Sequence, residues 1–92
     1  PDATELRLQK EREEAARNER ANLIKLAAVY DAMTAEGAAP ILKQMAESGT
    51  GKMEQAAQIL VLMQQRKSAQ LLEAMNDPAL VAQLMDKVRQ LR

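Results

Sequence analysis

Ala56-Ala57-Gln58-Ile59-Leu60-Val61-Leu62-Met63 and, four residues later, Ser68-Ala69-Gln70-Leu71-Leu72-Glu73-Ala74-Met75 carry the pattern that decides the fold. Both octets read small-small-x-aliphatic-apolar-x-x-Met. The same form closes at Met45 (Ala38-Ala39-Pro40-Ile41-Leu42-Lys43-Gln44-Met45) and at Met33 (Leu26-Ala27-Ala28-Val29-Tyr30-Asp31-Ala32-Met33), with a looser copy ending at Met85. Apolar residues recurring at three and four residues argue for helix rather than strand. Two small side chains let a neighbouring helix come close, the aliphatic pair fills the seam, and a flexible methionine fills irregular gaps. Short helices stacked in this way predict an all-α, small superhelical or armadillo-like array. A methionine stripe at helical spacing is read first as core and second as a binding groove.

Joints between helices are legible on both sides of these octets. Thr34 is a candidate N-cap for a helix through about Ala46, with Ala38, Ile41, Leu42 and Met45 on one face. Pro40 kinks that helix if it begins at Ala35 and is harmless if it begins near Gly37. Ser48-Gly49-Thr50-Gly51 is the one flexible break. A helix over about Lys52 to Gln64 is apolar nearly all round, which suits the middle of a bundle or a face exposed for a partner. Gln64-Gln65-Arg66-Lys67 is expected to make the turn into a fourth helix, with Ala69, Leu71, Leu72 and Met75 inward. Asn76-Asp77-Pro78 is the sharpest start signal: Asp77 caps and Pro78 takes the first helical position. The last helix runs to the C-terminus with Val81, Leu84, Val88 and Leu91 on one face.

Upstream, the composition changes. Residues 5–22 hold ten charged residues in eighteen and few large apolar ones. They are strong helix formers without a breaker, so one helix is expected to run on to about Met33. The chain thus divides into a charged helix over 1–22, the end of a coiled coil, and a compact helical repeat domain over 23–92. A weak heptad through Leu6, Gln9, Glu13, Ala16, Arg20, Leu23, Ala27 and Tyr30 offers a dimer seam, for which Leu6, Ala16, Leu23, Ala27 and Tyr30 are the candidates. The bland alternative is a solvated single helix projecting from the domain. A homodimer through this helix is the expectation, because a compact part of roughly 70 residues has a marginal core of its own.

The whole chain has 92 residues, thirteen Lys/Arg against thirteen Asp/Glu, no Cys, His, Trp or Phe, and a single Tyr. No disulfide, thiolate, zinc finger or imidazole base can be built from it. Zero net charge argues against nucleic-acid binding by bulk electrostatics, and each half is near neutral by itself. No window reaches the ~18 apolar residues of a membrane span. Ser48-Gly49-Thr50-Gly51-Lys52 lacks the spacing of a phosphate-binding loop. Glu13 and Glu14 lie on a solvated helix, and Asp77 and Asp86 are too isolated to cage a cation. No catalytic, cofactor or metal residues are expected. The candidate partner-binding residues are Tyr30, Val61, Arg66 and Lys67. Tyr30 reads by default as a boundary core residue with a wet hydroxyl.

Taken together, the run Leu26–Met33, Ala38-Ala39-Pro40-Ile41-Leu42, Ala56-Ala57-Gln58-Ile59-Leu60 with Met63, Arg66–Met75 and Asp77-Pro78 resembles the C-terminal domain of the flagellar motility chaperone (MotE) family. That domain is related to the N-terminal domains of the flagellar rotor protein FliG and of the magnesium transporter MgtE. The resemblance covers about residues 22–85. It implies a non-enzymatic helical interaction or chaperone module, with a flagellar stator or rotor component as partner. It also implies a coiled coil and a membrane anchor upstream, and hence a bacterial inner-membrane location, the periplasm favoured over the cytoplasm. The SGTG connection is longer than the family's short turn, and Pro40 stands where the family has a non-proline. A regulatory domain of a magnesium transporter and a generic helical scaffold are the competing expectations.

Overall fold

The computed structural model describes residues 3–91, apart from the side chain of Thr50, and is all-helical. A long helix α1 (Ala3–Ala32) is followed by four short ones: α2 (Ala35–Glu47), α3 (Thr50–Leu62), α4 (Gln65–Met75) and α5 (Pro78–Gln90). Pro1 and Asp2 of the charged helix, and Arg92 of the last one, lie outside the described residues.

The joints are local chemistry. Thr34 is extended, and its hydroxyl accepts the Gly37 N–H at 3.1 Å, so α2 starts at Ala35. The Asp77 carboxylate accepts the Leu80 N–H at 3.2 Å with Pro78 in the first turn of α5. Its second oxygen lies 3.4 Å from Lys43 on α2, so the cap also ties α5 to the second helix. Asn76 closes α4 in the left-handed conformation at φ 51°. Asparagine tolerates that region better than most residues.

Two expectations about the joints need correction, and the open question at Pro40 is decided. The break at 48–51 shrinks to Ser48 and Gly49, and α3 begins at Thr50 rather than Lys52. Gly49 alone turns the chain, and the first turn of a helix does not need the N–H bonds that Thr50 and Gly51 would otherwise supply. The turn over Gln64–Lys67 likewise reduces to Met63 and Gln64. Gln64 does not cap α4 with its own side chain. Instead Asp31, at the end of α1, accepts the Gln64 N–H at 3.2 and 3.3 Å through its two oxygens. Helix α2 begins before Gly37, so Pro40 stands in the helix interior, and the helix continues through it to Glu47. Pro40 is solvent-exposed, so the Glu36 carbonyl it leaves without an N–H partner can be hydrated.

Gly49 has φ 147° and ψ 170°, a region open essentially only to glycine. A Cβ there would meet no other atom within 4 Å, so the penalty for a side chain is conformational alone. Gly49→Ala is expected to lower stability by about 1–2 kcal/mol. Urea unfolding with an unchanged slope and a lower midpoint would report it; an unchanged midpoint would mean that Gly49 is free to adopt an ordinary conformation.

Helix α3 is the centre. It packs against α1, α2, α4 and α5, while α2 also packs against α4. Its Ala56, Ala57 and Ile59 are fully buried, and Leu60 nearly so. Across from them lie Ala38, Ala39, Leu42 and Ala46 of α2, Leu71 and Met75 of α4, and Leu80 and Leu84 of α5. Burial of small side chains on α2 and α3 fits the close approach expected from the octets. The pattern lapses elsewhere. Ala69 of α4 is exposed, as is Ile41 of α2 at 48%, while Ala39, Ala46 and Leu80 are buried in their stead. On α5, Val81 and Val88 are half-buried, and Leu91, just beyond the helix, lies mostly out of the core.

Helix α1 has 30 residues and spans about 45 Å at 1.5 Å per residue. It therefore sets the 53 Å long axis of the molecule. Every residue from Ala3 to Asn22 is exposed. Burial begins at Leu23 and continues through Ala27 and Tyr30, which join the core beside α3.

Candidate functional site

Methionines and aliphatics from three helices line a surface groove. The C-terminal turn of α3 supplies Leu60, Val61 and Met63 as its floor and edge. Leu72 and Ala69 of α4 form one wall, and Met85 and Val88 of α5 form the other. The groove encloses about 450 Å³. Val61 is 40% and Met85 58% exposed, large apolar surface for side chains of this size. At the ends stand Gln65 and Ser68 of α4 and Arg89 of α5. Arg89 is held by Asp86 at 2.7 Å. The looser octet that ends at Met85 thus puts its methionine at the groove rim rather than in the core.

A second, smaller groove of about 380 Å³ lies on the other side of Val61. Ala16, Glu19, Arg20 and Leu23 of α1 face Gln58, Val61 and Leu62 of α3, with Leu91 beyond. Val61 is therefore a ridge shared by two grooves, one against the polar arm and one against α4 and α5.

The residues singled out in the sequence do not come together. Val61 is on this surface. Arg66 is exposed on the first turn of α4. Lys67 is half-buried and points to a different depression, shared with Thr34, Glu36 and Glu73. Tyr30 and Ala27 are 6% and 2% exposed and belong to the chain's own core. They therefore leave the dimer seam, and Tyr30 leaves the partner-binding set. Their stripe of α1 is already covered by α3, so a second chain cannot also occupy it. Leu23 is half-buried on the same stripe, whereas Leu6 and Ala16 stay exposed. Met85, marked only as the end of the looser octet, was missed as a surface residue, while Leu72 and Val88, expected inward, are half-buried against the core and also line the groove. A repeat pattern does not say which apolar face a bundle leaves open.

Burial pushes the Tyr30 hydroxyl above its usual pKa of 10.0. It makes no hydrogen bond to the described protein groups, and no buried side-chain polar atom among the described residues is left orphaned, so the hydroxyl reaches water. The sign follows directly. The neutral phenol is favoured in the folded chain, so Tyr30 contributes nothing against folding below pH 10 and begins to favour unfolding above it. As the only aromatic residue, it can be followed alone. Its ultraviolet titration is expected to have a midpoint above 10 in the folded protein and to return to about 10 in denaturant. Equal midpoints would place Tyr30 in water.

Among the described residues no group of three or more Asp, Glu, His or Cys side chains could hold a metal ion. No described helix is long and apolar enough to cross a membrane. The grooves carry neither a nucleophile beside a base nor a strained or orphaned polar group. What they offer chemically is apolar surface with a polar rim, the composition of a protein-recognition surface. Comparison with protein-family models, with curated proteins and with solved structures finds no match for this chain.

Proposed function

We propose that this chain is a non-enzymatic protein-interaction or chaperone module of the bacterial flagellar motor, taking a stator or rotor component as its partner. The observation that carries the interaction part is the groove between α4 and α5, where Val61 and Met85 leave large apolar surface beside an otherwise well-filled core. Exposed apolar side chains around one concavity are what a docking partner covers. Methionines on such a surface adapt to more than one shape of ligand. The flagellar part rests on the resemblance of the octets and the Asp77-Pro78 joint. On this reading the module works at the bacterial inner membrane, with the periplasm favoured over the cytoplasm.

Affinity capture from flagellated cells tests both parts. The tagged chain is expected to retain an identified stator or rotor protein. Val61→Glu is expected to reduce that retention about tenfold or more, because a carboxylate would have to be desolvated at the groove edge. Its circular dichroism should be unchanged, since Val61 is already wet. Retention of no motor component would count against the flagellar reading. Retention unaffected by Val61→Glu would move the site away from the groove.

A further inference from the structure

The arm of α1 poses a physical problem. Its residues from Ala3 to Asn22 are all exposed, whereas most helical stability in proteins comes from packing an apolar face. A helix that is polar all round either bridges, is laced with ion pairs, or does not persist. The stripe expected to solve the problem by dimerisation, through Leu23, Ala27 and Tyr30, is spent on α3. A different stripe remains. Leu8, Ala15, Asn22 and Val29 recur at seven residues, and Leu26 follows Asn22 by four. Leu8 is 44%, Leu26 42% and Val29 56% exposed, and the stripe lies to one side of the face that α3 covers.

We infer that this stripe is the contact between two copies of the chain, with the two α1 helices antiparallel. Charge decides the direction. Continuing the heptad, Arg12 and Glu19 occupy the positions that alternate with Leu8, Ala15 and Asn22. In a parallel pair each layer meets its own copy, so Arg12 would face Arg12 and Glu19 would face Glu19. Both contacts are repulsive, and no flanking pair compensates: Glu11 would face Ala16, and Lys25 would face Tyr30. Reversing one helix removes the conflict. With the twofold axis at Arg17, Leu8 of one copy lies over Leu26 of the other, and Ala15 leaves room at the centre. Arg12 then comes beside Glu19 and Glu11 beside Lys25, each pair occurring twice by symmetry. The two compact domains sit at opposite ends of the pair.

The chain has no cysteine, so single-cysteine variants report the direction cleanly. Leu8→Cys and Leu26→Cys are prepared separately, mixed and oxidised, with folding checked by circular dichroism. The antiparallel pair is expected to give mainly the mixed disulfide. Leu6→Cys, off the stripe, should crosslink several-fold less to Leu26→Cys. Mainly self-crosslinked Leu8→Cys would overturn the direction. A monomer of the unaltered chain by sedimentation at tens of micromolar would overturn the dimer itself. Lys25→Glu is expected to weaken association roughly fivefold and Glu11→Lys in the same chain to restore it, since both copies of the pair are affected. Absence of that rescue would overturn the register. None of these results depends on which partner the α4–α5 groove takes.

Discussion

Replacing Ile59 by alanine is expected to remove most of the stability of the compact domain. Ile59 is fully buried at the centre of α3, the helix that all four others touch. It shares one core cluster with Leu42, Leu71 and Leu84, each itself almost wholly buried. Truncation loses the transfer free energy of three carbons and leaves a cavity that helices on several sides cannot all close. Such changes cost about 2–5 kcal/mol. A chain of this size has total stability of only about 5–14 kcal/mol at typical per-residue values, and small cores sit at the low end. The melting temperature should fall by roughly 10–25 °C, followed at the helical ellipticity minimum. Val61→Ala, on the exposed ridge of the same helix, should change it by only about a degree or two. A drop of equal size at both sites would mean that α3 does not sit at the centre of the packing.

Pro40→Ala is expected to act in the opposite direction and nearly as strongly. The proline follows Ala35, the first residue of α2, by five positions, so its missing N–H would have served the Glu36 carbonyl. An interior proline costs a helix about 3 kcal/mol relative to alanine. Against that, the stiff ring limits the unfolded chain, which returns up to about 1 kcal/mol. The net gain on substitution is about 2 kcal/mol, or roughly 8–16 °C in melting temperature for a domain of this size. Pro40 is exposed, so the smaller side chain leaves no cavity to confuse the measurement. A fall in melting temperature would mean that the proline ring itself contributes to packing.

These two residues illustrate what kind of information each level carries. Ile59 stands on a helix apolar nearly all round, which in the sequence suits either the centre of a bundle or a partner-facing surface; packing puts Ile59 in the centre and Val61 at the surface. Pro40 was recognisable as a conflict but not as a resolved one. Its effect depends on whether α2 begins at Ala35 or Gly37, and Thr34 fixes the start by accepting the Gly37 N–H on its hydroxyl and the Ala38 N–H on its carbonyl. The groove was legible only in part. Val61 drew notice as an apolar residue on an over-apolar helix, whereas Met85 was grouped with the core methionines by its place in the octet.

By itself the sequence determined that this protein is a long polar helix followed by four short ones, and where two of the four joints fall, at Thr34 and at Asp77-Pro78. Those features are local: an N-cap hydroxyl, an Asp-Pro pair and a run of helix formers act within one turn of themselves. Tertiary structure decided which face of each helix is spent inside the molecule. Helix α1 carries two apolar stripes, and the Leu23–Ala27–Tyr30 stripe is the one that turns inward to join the core beside α3. That choice leaves Leu8, Leu26 and Val29 outward. It also leaves Val61 and Met85 around a groove that α3, α4 and α5 line together. Periodicity counts apolar faces; only packing, which must satisfy all five helices at once, says which of them remain free for another chain.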